Sequence, residues 1–168
     1  MKVTLPTGRL LEAVGHAAAV ASSKSTKPIY ECVALRANKA TGLSLEATDL
    51  DVGLRVHVED SATASEGEVA VPAARLLAIV REIEEDETTL STSDRGLEIT
   101  TAGSRFTVRH EDIAEFPTIG RFPDKSAVRV PSGELREMVR RTAFAAAREP
   151  GRFALHGIQM TVGGDTLR

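Results

Sequence analysis

The 168-residue sequence contains no tryptophan, one tyrosine and a single cysteine, Cys32. One cysteine allows neither an internal disulfide nor a cysteine-based metal site, and this usage suits a reducing compartment. The sequence has no uncharged apolar run of about 18 residues that could cross a bilayer, and its start, "MKVTLPTGRLLEAVGH", lacks the apolar core of a signal peptide. We therefore expect a cytoplasmic protein with no membrane partner.

The sequence also lacks the residue patterns of an active site. Its Ser, His and Asp residues show no catalytic order or nucleophile-elbow motif, and its glycines make no phosphate loop. The stretch "REIEEDE" at Arg81–Glu87 holds five carboxylates, but they follow one another along the chain, as in a solvated helix end. No metal-ligand spacing relates Cys32 to the four histidines, which are His16, His57, His110 and His156. We predict a protein that is not an enzyme and needs no metal or cofactor.

Length and charge set further bounds. The chain is long enough for one domain with a real core and only marginally long enough for two. Apolar residues make up 42% and charged residues 27%, which is typical of soluble globular domains, and the net charge is −3. Because the whole chain is not basic, contact with nucleic acid would require local basic patches.

The chain repeats its own beginning. "VRVPSGELREMV" at Val128–Val139 overlays "VTLPTGRLLEAV" at Val3–Val14 with an offset of 125 residues. Seven of the seventeen positions from Pro6 to Ser22 recur. The recurring pairs are Pro6/Pro131, Gly8/Gly133, Leu10/Leu135, Glu12/Glu137, Val14/Val139, Ala18/Ala143 and Ala21/Ala146.

A second copy of the same module lies inside the first repeat. "VAVPAARLLAIV" at Val69–Val80 overlays the same start, and it preserves the proline, Arg9/Arg75 and three apolar positions. Each copy has a short alternating run, then a proline, then apolar residues at helical spacing. Proline suits the first turn of a helix, so each copy predicts a strand that turns directly into a helix.

After each of the first two helices the apolar period changes to two. "DVGLRVHVED" places Val52, Leu54, Val56 and Val58 on one face, and "GLSLEAT", "LEITT" and "RFTVRH" alternate in the same way. The predicted unit is therefore βαβββ, present twice, in an α+β domain of eight or so antiparallel strands and two helices.

The repeats also predict a domain layout. The first domain spans residues 1–120 and closes near the Pro- and Gly-bearing stretch Phe116–Lys125. The linker is placed at 121–125, and the start of a second domain spans 126–168. In that second domain we expect a helix from Pro131 to about Ala147, a strand at Ala154–Val162 and a hairpin turn at Gly163–Gly164.

The ordered motifs resemble those of the bacterial DNA polymerase III β subunit, the sliding clamp. They fall in that family's order and spacing, and are "KPI" (27–29), "LSLEATDL" (43–50), "VPAARLL" (71–77), "GSRFTV" (103–108), "EFP" (115–117) and "RFALHG" (152–157). The resemblance implies a DNA clamp fold with duplicated βαβββ halves, sheets outside and two helices per domain inside. Family members have three such domains and dimerise into a ring, so we expect an N-terminal fragment with domain I complete, domain II begun and domain III absent.

The resemblance implies a processivity factor that encircles duplex DNA without reading its sequence. Basic residues on the inward helices would touch phosphates, although the alternative is that they are ordinary solvated helix faces. Lys24 and Arg152 fall where the family has basic contact residues, whereas Glu149 and Ala154 depart from the family pattern. The candidates are Lys24, Arg75, Arg81, Arg136, Arg140, Arg141, Arg148 and Arg152.

Two further surfaces follow from the resemblance. Arg152 and Leu155 would belong to a pocket for short peptides of the replicative polymerase, the clamp loader and repair proteins, and Leu155 could equally be a core strand residue. Arg105, Phe106 and Val108 would lie on the interface strand of the full-length homodimer, although Phe106 could instead be simple core. The rival hypothesis is a clamp-like protein-interaction domain that never surrounds DNA.

Overall fold

The protein was studied as a computed structural model, which describes residues 1–21, 25–120, 128–147, 156–164 and 166–168. Its chain divides into two units, Met1–Arg121 (unit 1) and Phe122–Arg168 (unit 2). The described part of unit 1 contains nine strands and two α-helices. In chain order these are β1 Lys2–Pro6, α1 Thr7–Val20, β2 Cys32–Asn38, β3 Gly42–Thr48, β4 Gly53–Val58, β5 Ala62–Ser65, β6 Gly67–Pro72, α2 Ala73–Arg81, β7 Glu87–Ser93, β8 Gly96–Thr100 and β9 Arg105–Val108.

The two halves of unit 1 exchange their first strands. One antiparallel sheet has the order β5-β1-β7-β8-β9 and the other has the order β4-β3-β2-β6. Strand β1 thus pairs with β7 of the second half, and β6 pairs with β2 of the first half. The predicted duplication of βαβββ is present, and each copy is completed by a strand from the other.

Pro6 and Pro72 each end a strand and cap the helix that follows. Both have extended backbone angles, with ψ of 131° and 117°, so each proline lies one residue before the helix and not inside its first turn. Since proline offers no capping side chain, the first amide of α1 finds a partner elsewhere: Thr7 N donates to Asp86 O at 2.8 Å. The hydroxyls of Thr7 and Thr88 are also hydrogen-bonded at 2.8 Å, so α1 starts against β7.

One core lies between the helices and the two sheets. Helix α1 contributes Leu10 and Val14, and helix α2 contributes Leu76 and Val80, and all four side chains are fully buried. These positions follow the predicted helical spacing. They share one cluster with the inward residues of every strand from β1 to β9 except β5, so burial of apolar surface on both sheets holds the halves together.

The other face of the β4-β3-β2-β6 sheet is divided into an apolar and a charged part. Cys32 and Ala34 lie under Phe116 in a second small cluster. Farther along, Glu46 is 6% exposed and accepts hydrogen bonds from Arg36 Nε at 3.2 Å and Arg55 Nε at 2.6 Å. Arg36 also pairs with Glu68 on β6, so charges of alternating sign cross all four strands.

Strand β5 is the part of unit 1 that the sequence pattern did not predict. Its sequence, "ATAS", has small and polar residues with no apolar alternation, and it lies at a sheet edge, paired with β1. Edge strands with one neighbour do not need a buried face, so the usual signal is missing. The count of nine strands in the described residues therefore exceeds the expected eight by this one.

The described part of unit 2 contains α3 (Ser132–Thr142) and a two-strand hairpin of β10 (Val162–Gly163) and β11 (Thr166–Leu167). The α-helix ends at Thr142 and a 3-10 turn continues it over Ala143–Ala145. Ala146 is extended with ψ 136°, so the helical stretch ends two residues before the predicted Ala147.

The predicted strand at Ala154–Val162 is wrong for residues 156–161, which are not in a strand, while 154 and 155 lie outside the described residues. The hairpin of β10 and β11 has two residues in each strand and no third strand beside it among the described residues. Such short, isolated hairpins are only marginally stable in water. The turn has Gly164 at φ +56°, one residue later than predicted. Among the described helices of both units, none has the length and apolar character that a bilayer crossing requires.

Candidate nucleic-acid interface

Helix α2 is the most basic helix of unit 1. Its nine residues include Arg75 and Arg81 and no acidic residue. Both arginines are exposed, and within the described ranges neither makes a hydrogen bond or an ion pair. Arg81 lies in the last turn, where the helix dipole favours a cation. Arg75 lies in the first turn, where the dipole opposes one by about 0.3–1 kcal/mol, so helix stability does not explain Arg75.

Arg9 occupies the same position on α1 but has a different environment. Its guanidinium lies 3.1 Å from Glu59 Oε2, 3.9 Å from Glu12 Oε2 and 4.0 Å from Asp60 Oδ2. Arg9 is not among the DNA candidates predicted from the sequence, although the overlay of the repeats aligns it with Arg75. The two carboxylates at positions 59 and 60 come from the turn after β4, which the local pattern around Arg9 does not reveal.

The arginines of α3 are partly neutralised by one glutamate. Glu137 accepts hydrogen bonds from Arg140 Nε at 2.8 Å and from Arg141 Nε at 2.6 Å. These bonds, that of Arg140 first, lower the pKa of Glu137, and the same pairing raises the pKa of Arg140. Glu134 in the first turn and two arginines in the last turn also match the helix dipole. Three arginines against two glutamates leave α3 with one excess positive charge.

Arg136 is therefore the α3 arginine with the fewest structural ties, because it is exposed and has no ion pair within the described residues. Lys24, Arg148, Arg152 and Leu155 lie outside the described residues.

Strand β9, the candidate subunit-interface strand, lies at the open end of the five-stranded sheet. It pairs with β8 on one side and with no other strand of the described chain on the other. Arg105 is exposed, Phe106 is half-buried against the main core, and Val108 is 1% exposed. Of the three, Arg105 offers a free side chain, while Val108 presents only its backbone at this edge.

The carboxylate-rich stretch after α2 has structural contacts. Glu85 accepts hydrogen bonds from Thr101 Oγ1 at 2.7 Å and from Gly103 N at 3.2 Å, and these bonds lower its pKa, the Thr101 bond most. Across the described ranges, no three His, Cys, Asp or Glu side chains converge as metal ligands would. Cys32 is fully buried, and burial raises the pKa of its thiol to about 12.

Comparison with known proteins places these features in a family. The family model described as DNA polymerase III beta subunit, N-terminal domain, matches residues 1–120. The beta sliding clamp of Pseudomonas aeruginosa is 32% identical over 171 residues, and that of Caulobacter vibrioides is 33% identical over 175 residues. They align with 100% and 99% of this chain, which spans 46% of the length of each.

Solved structures give the same result for the fold. The crystal structure of the sliding clamp (DNA polymerase III subunit beta) from Pseudomonas aeruginosa matches with a TM-score of 0.87 at 32% identity. It covers 99% of this chain and 45% of the solved one. The expected clamp fold, with antiparallel sheets and two helices in the first domain, is confirmed by this match.

Proposed function

Because the chain belongs to the DNA polymerase III β subunit family, we propose that it is part of a processivity factor, a sliding clamp that encircles duplex DNA and tethers a polymerase. In this proposal residues 1–120 form the first clamp domain, 121–125 a linker and 126–168 the start of the second. In this proposal the chain is a non-catalytic part of the polymerase assembly, and its role is mechanical. The rival hypothesis of an interaction domain that never surrounds DNA is not favoured by these relatives.

The proposal rests on the charge and the surroundings of Arg75. Arg75 is an exposed cation without an ion partner in the described chain, held in a helix turn where its charge opposes the dipole. A position that costs helix stability and has no hydrogen bond or ion pair within the described residues suits a cation that binds an external anion. Phosphates of duplex DNA are such anions, and contacts to them carry no sequence information.

Partners and assembly belong to the same proposal. The open edge of β9, with its unpaired backbone groups and Arg105, suits ring closure by pairing with a strand of another subunit. The replicative polymerase, the clamp loader and repair proteins would bind through short peptides at a pocket that includes Arg152 and Leu155. We place the protein in the cytoplasm with the replication machinery.

The test uses Arg75→Glu in the 168-residue chain. Fluorescence anisotropy with a labelled duplex is measured between about 50 and 200 mM salt. We expect weaker binding and a salt-dependence slope reduced by about 0.9, which corresponds to one lost phosphate contact. Two duplexes of unrelated sequence should bind alike. The same variant should raise the free energy of unfolding by about 0.3–1 kcal/mol, because it removes the dipole conflict.

The matched control is Lys39→Glu, which makes the same charge change in the turn between β2 and β3. It should alter neither the slope nor the stability of the helix. If Arg75→Glu and Lys39→Glu weaken DNA binding equally, Arg75 does not face DNA and the proposal loses its support.

A further inference from the structure

We propose that Glu12, Glu59 and Asp60 mask Arg9 from DNA phosphates, so that helix α1 contributes fewer phosphate contacts than helix α2. The inference rests on the proposed function and adds an internal asymmetry to it. Two halves that share one fold would then have different electrostatic roles.

The mask is a set of carboxylates on three sides of one guanidinium. Arg9 Nη2 lies 3.1 Å from Glu59, while Nη1 and Nε lie 3.9 Å and 4.0 Å from Glu12 and Asp60. Asp60 has φ +58°, a left-handed conformation that residues other than glycine adopt uncommonly. The turn after β4 thus takes an unusual backbone conformation and brings two carboxylates to Arg9.

The second half of unit 1 lacks this mask. Glu12 lies three residues after Arg9, and Ala78 lies three residues after Arg75. In the sheets, Leu43 pairs with Val58, and Leu97 pairs with Val108. Leu43 and Leu97 each follow the glycine that begins the corresponding strand of its half, β3 or β8, so they are equivalent, and their partners Val58 and Val108 are equivalent too.

The residues after these two valines have opposite charge. Glu59 and Asp60 follow Val58, whereas Arg109 and His110 follow Val108. In the first half, one arginine against three carboxylates leaves a charge of −2. In the second half, Arg75 and Arg109 leave +2 with histidine neutral. Equivalent positions of the two halves therefore carry opposite charge.

Such an arrangement has a direct effect on phosphate binding. A guanidinium already paired with carboxylates must exchange those partners for a phosphate, and the surplus negative charge repels the DNA backbone. All four side chains are exposed by 47% or more, so each pair is weak and open to salt screening. The mask therefore lowers the number of phosphate contacts without fixing Arg9 permanently, which suits a protein that must slide.

The test is Glu59→Gln with Asp60→Asn, in the 168-residue chain, with the same labelled duplex. Asparagine tolerates a left-handed backbone, so the turn is kept. We expect the Kd at about 50 mM salt to fall at least about threefold and the salt slope to steepen by about 0.9, one added phosphate contact. Adding Arg9→Ala to this double variant should abolish the gain. Asp51→Asn with Glu98→Gln makes the same net charge change elsewhere and should gain less.

Three outcomes would overturn the inference. If the double variant binds no better than the wild type, whether or not the wild type binds measurably, the mask does not exist. If the gain survives Arg9→Ala, or if Asp51→Asn with Glu98→Gln reproduces it, general charge and not Arg9 is responsible, and the inference is wrong. Failure of the proposed function is read separately, from an Arg75→Glu variant that binds DNA as Lys39→Glu does.

Discussion

Replacing the equivalent leucines of the repeated helices by alanine measures how completely each copy of the module is packed. Leu10 on α1 and Leu76 on α2 are fully buried. Leu135 holds the same place on α3 and is half-buried. We expect Leu10→Ala and Leu76→Ala each to destabilise unit 1 strongly, and Leu135→Ala to have a small effect on the same chain.

The magnitude follows from the groups removed. A Leu→Ala change deletes three carbon groups, and each is worth about 0.8 kcal/mol when fully buried, which gives about 2.4 kcal/mol. The residual cavity adds to this, so about 3 kcal/mol is expected at Leu10 and Leu76. At Leu135 the side chain already contacts water, and the loss should stay below about 1 kcal/mol.

Urea unfolding provides the assay. Tyr30 is the only tyrosine, and the chain has no tryptophan, so tyrosine fluorescence reports unit 1 alone, while far-UV circular dichroism follows Leu135→Ala. Leu77→Ala is the matched control, because Leu77 neighbours Leu76 on α2 but is half-buried. Equal losses of unfolding free energy for Leu76→Ala and Leu77→Ala, or a loss below about 1 kcal/mol for Leu10→Ala, would refute the full burial of Leu10 and Leu76.

Further predictions concern two glycines and the cysteine. Gly96 has φ +133°, and an added Cβ would collide with Val108 O. Gly96→Ala should therefore lower the free energy of unfolding by about 2–3 kcal/mol or more. Gly15 lies in helix α1 with nothing near an added Cβ, so Gly15→Ala should raise the free energy of unfolding by about 0.5–1 kcal/mol in the same urea titration. The Cys32 thiol has its pKa raised from 9.0 to about 12, by burial first and then by Glu111 and Glu31. Its stabilising contribution is therefore complete below pH 9.0 and is lost as the pH rises towards about 12. A thiol reagent at about pH 8 should modify Cys32 only after unfolding, and rapid modification of the native chain would contradict this burial.

Local pattern was sufficient for the elements that bury a regular apolar stripe. The prolines at positions 6 and 72, followed by residues such as Leu10 and Leu76, predicted both strand-to-helix transitions of unit 1 correctly, except that each proline precedes the helix by one residue. The sequence pattern did not predict strand β5, because its residues are small and polar and need no buried face. The predicted strand before Val162 pairs only at its end, where Thr161 and Arg168 exchange two backbone hydrogen bonds, and residues 156–160 have no partner strand in the described chain.

Features that depend on distant residues could not be read from such patterns. The carboxylates around Arg9 come from positions 59 and 60, and nothing in the local sequence shows that this turn approaches the start of α1. The pairing of Arg140 and Arg141 with Glu137 lies within one helix, and its i, i+3 and i, i+4 spacing could have revealed it. The predicted DNA candidates Arg140 and Arg141 thus already have a carboxylate partner on their own helix.

The exchange of first strands between the halves of unit 1 has a consequence for synthesis of the chain. Strand β1 is made before β7, and the hydroxyl contact between Thr4 and Thr89 links the two strands across 85 residues. Closing so long a loop must precede any gain from the pairing, which slows folding. The first half therefore leaves the ribosome with β1 unpaired to its eventual neighbour β7, and it cannot complete either sheet until most of unit 1 has been translated.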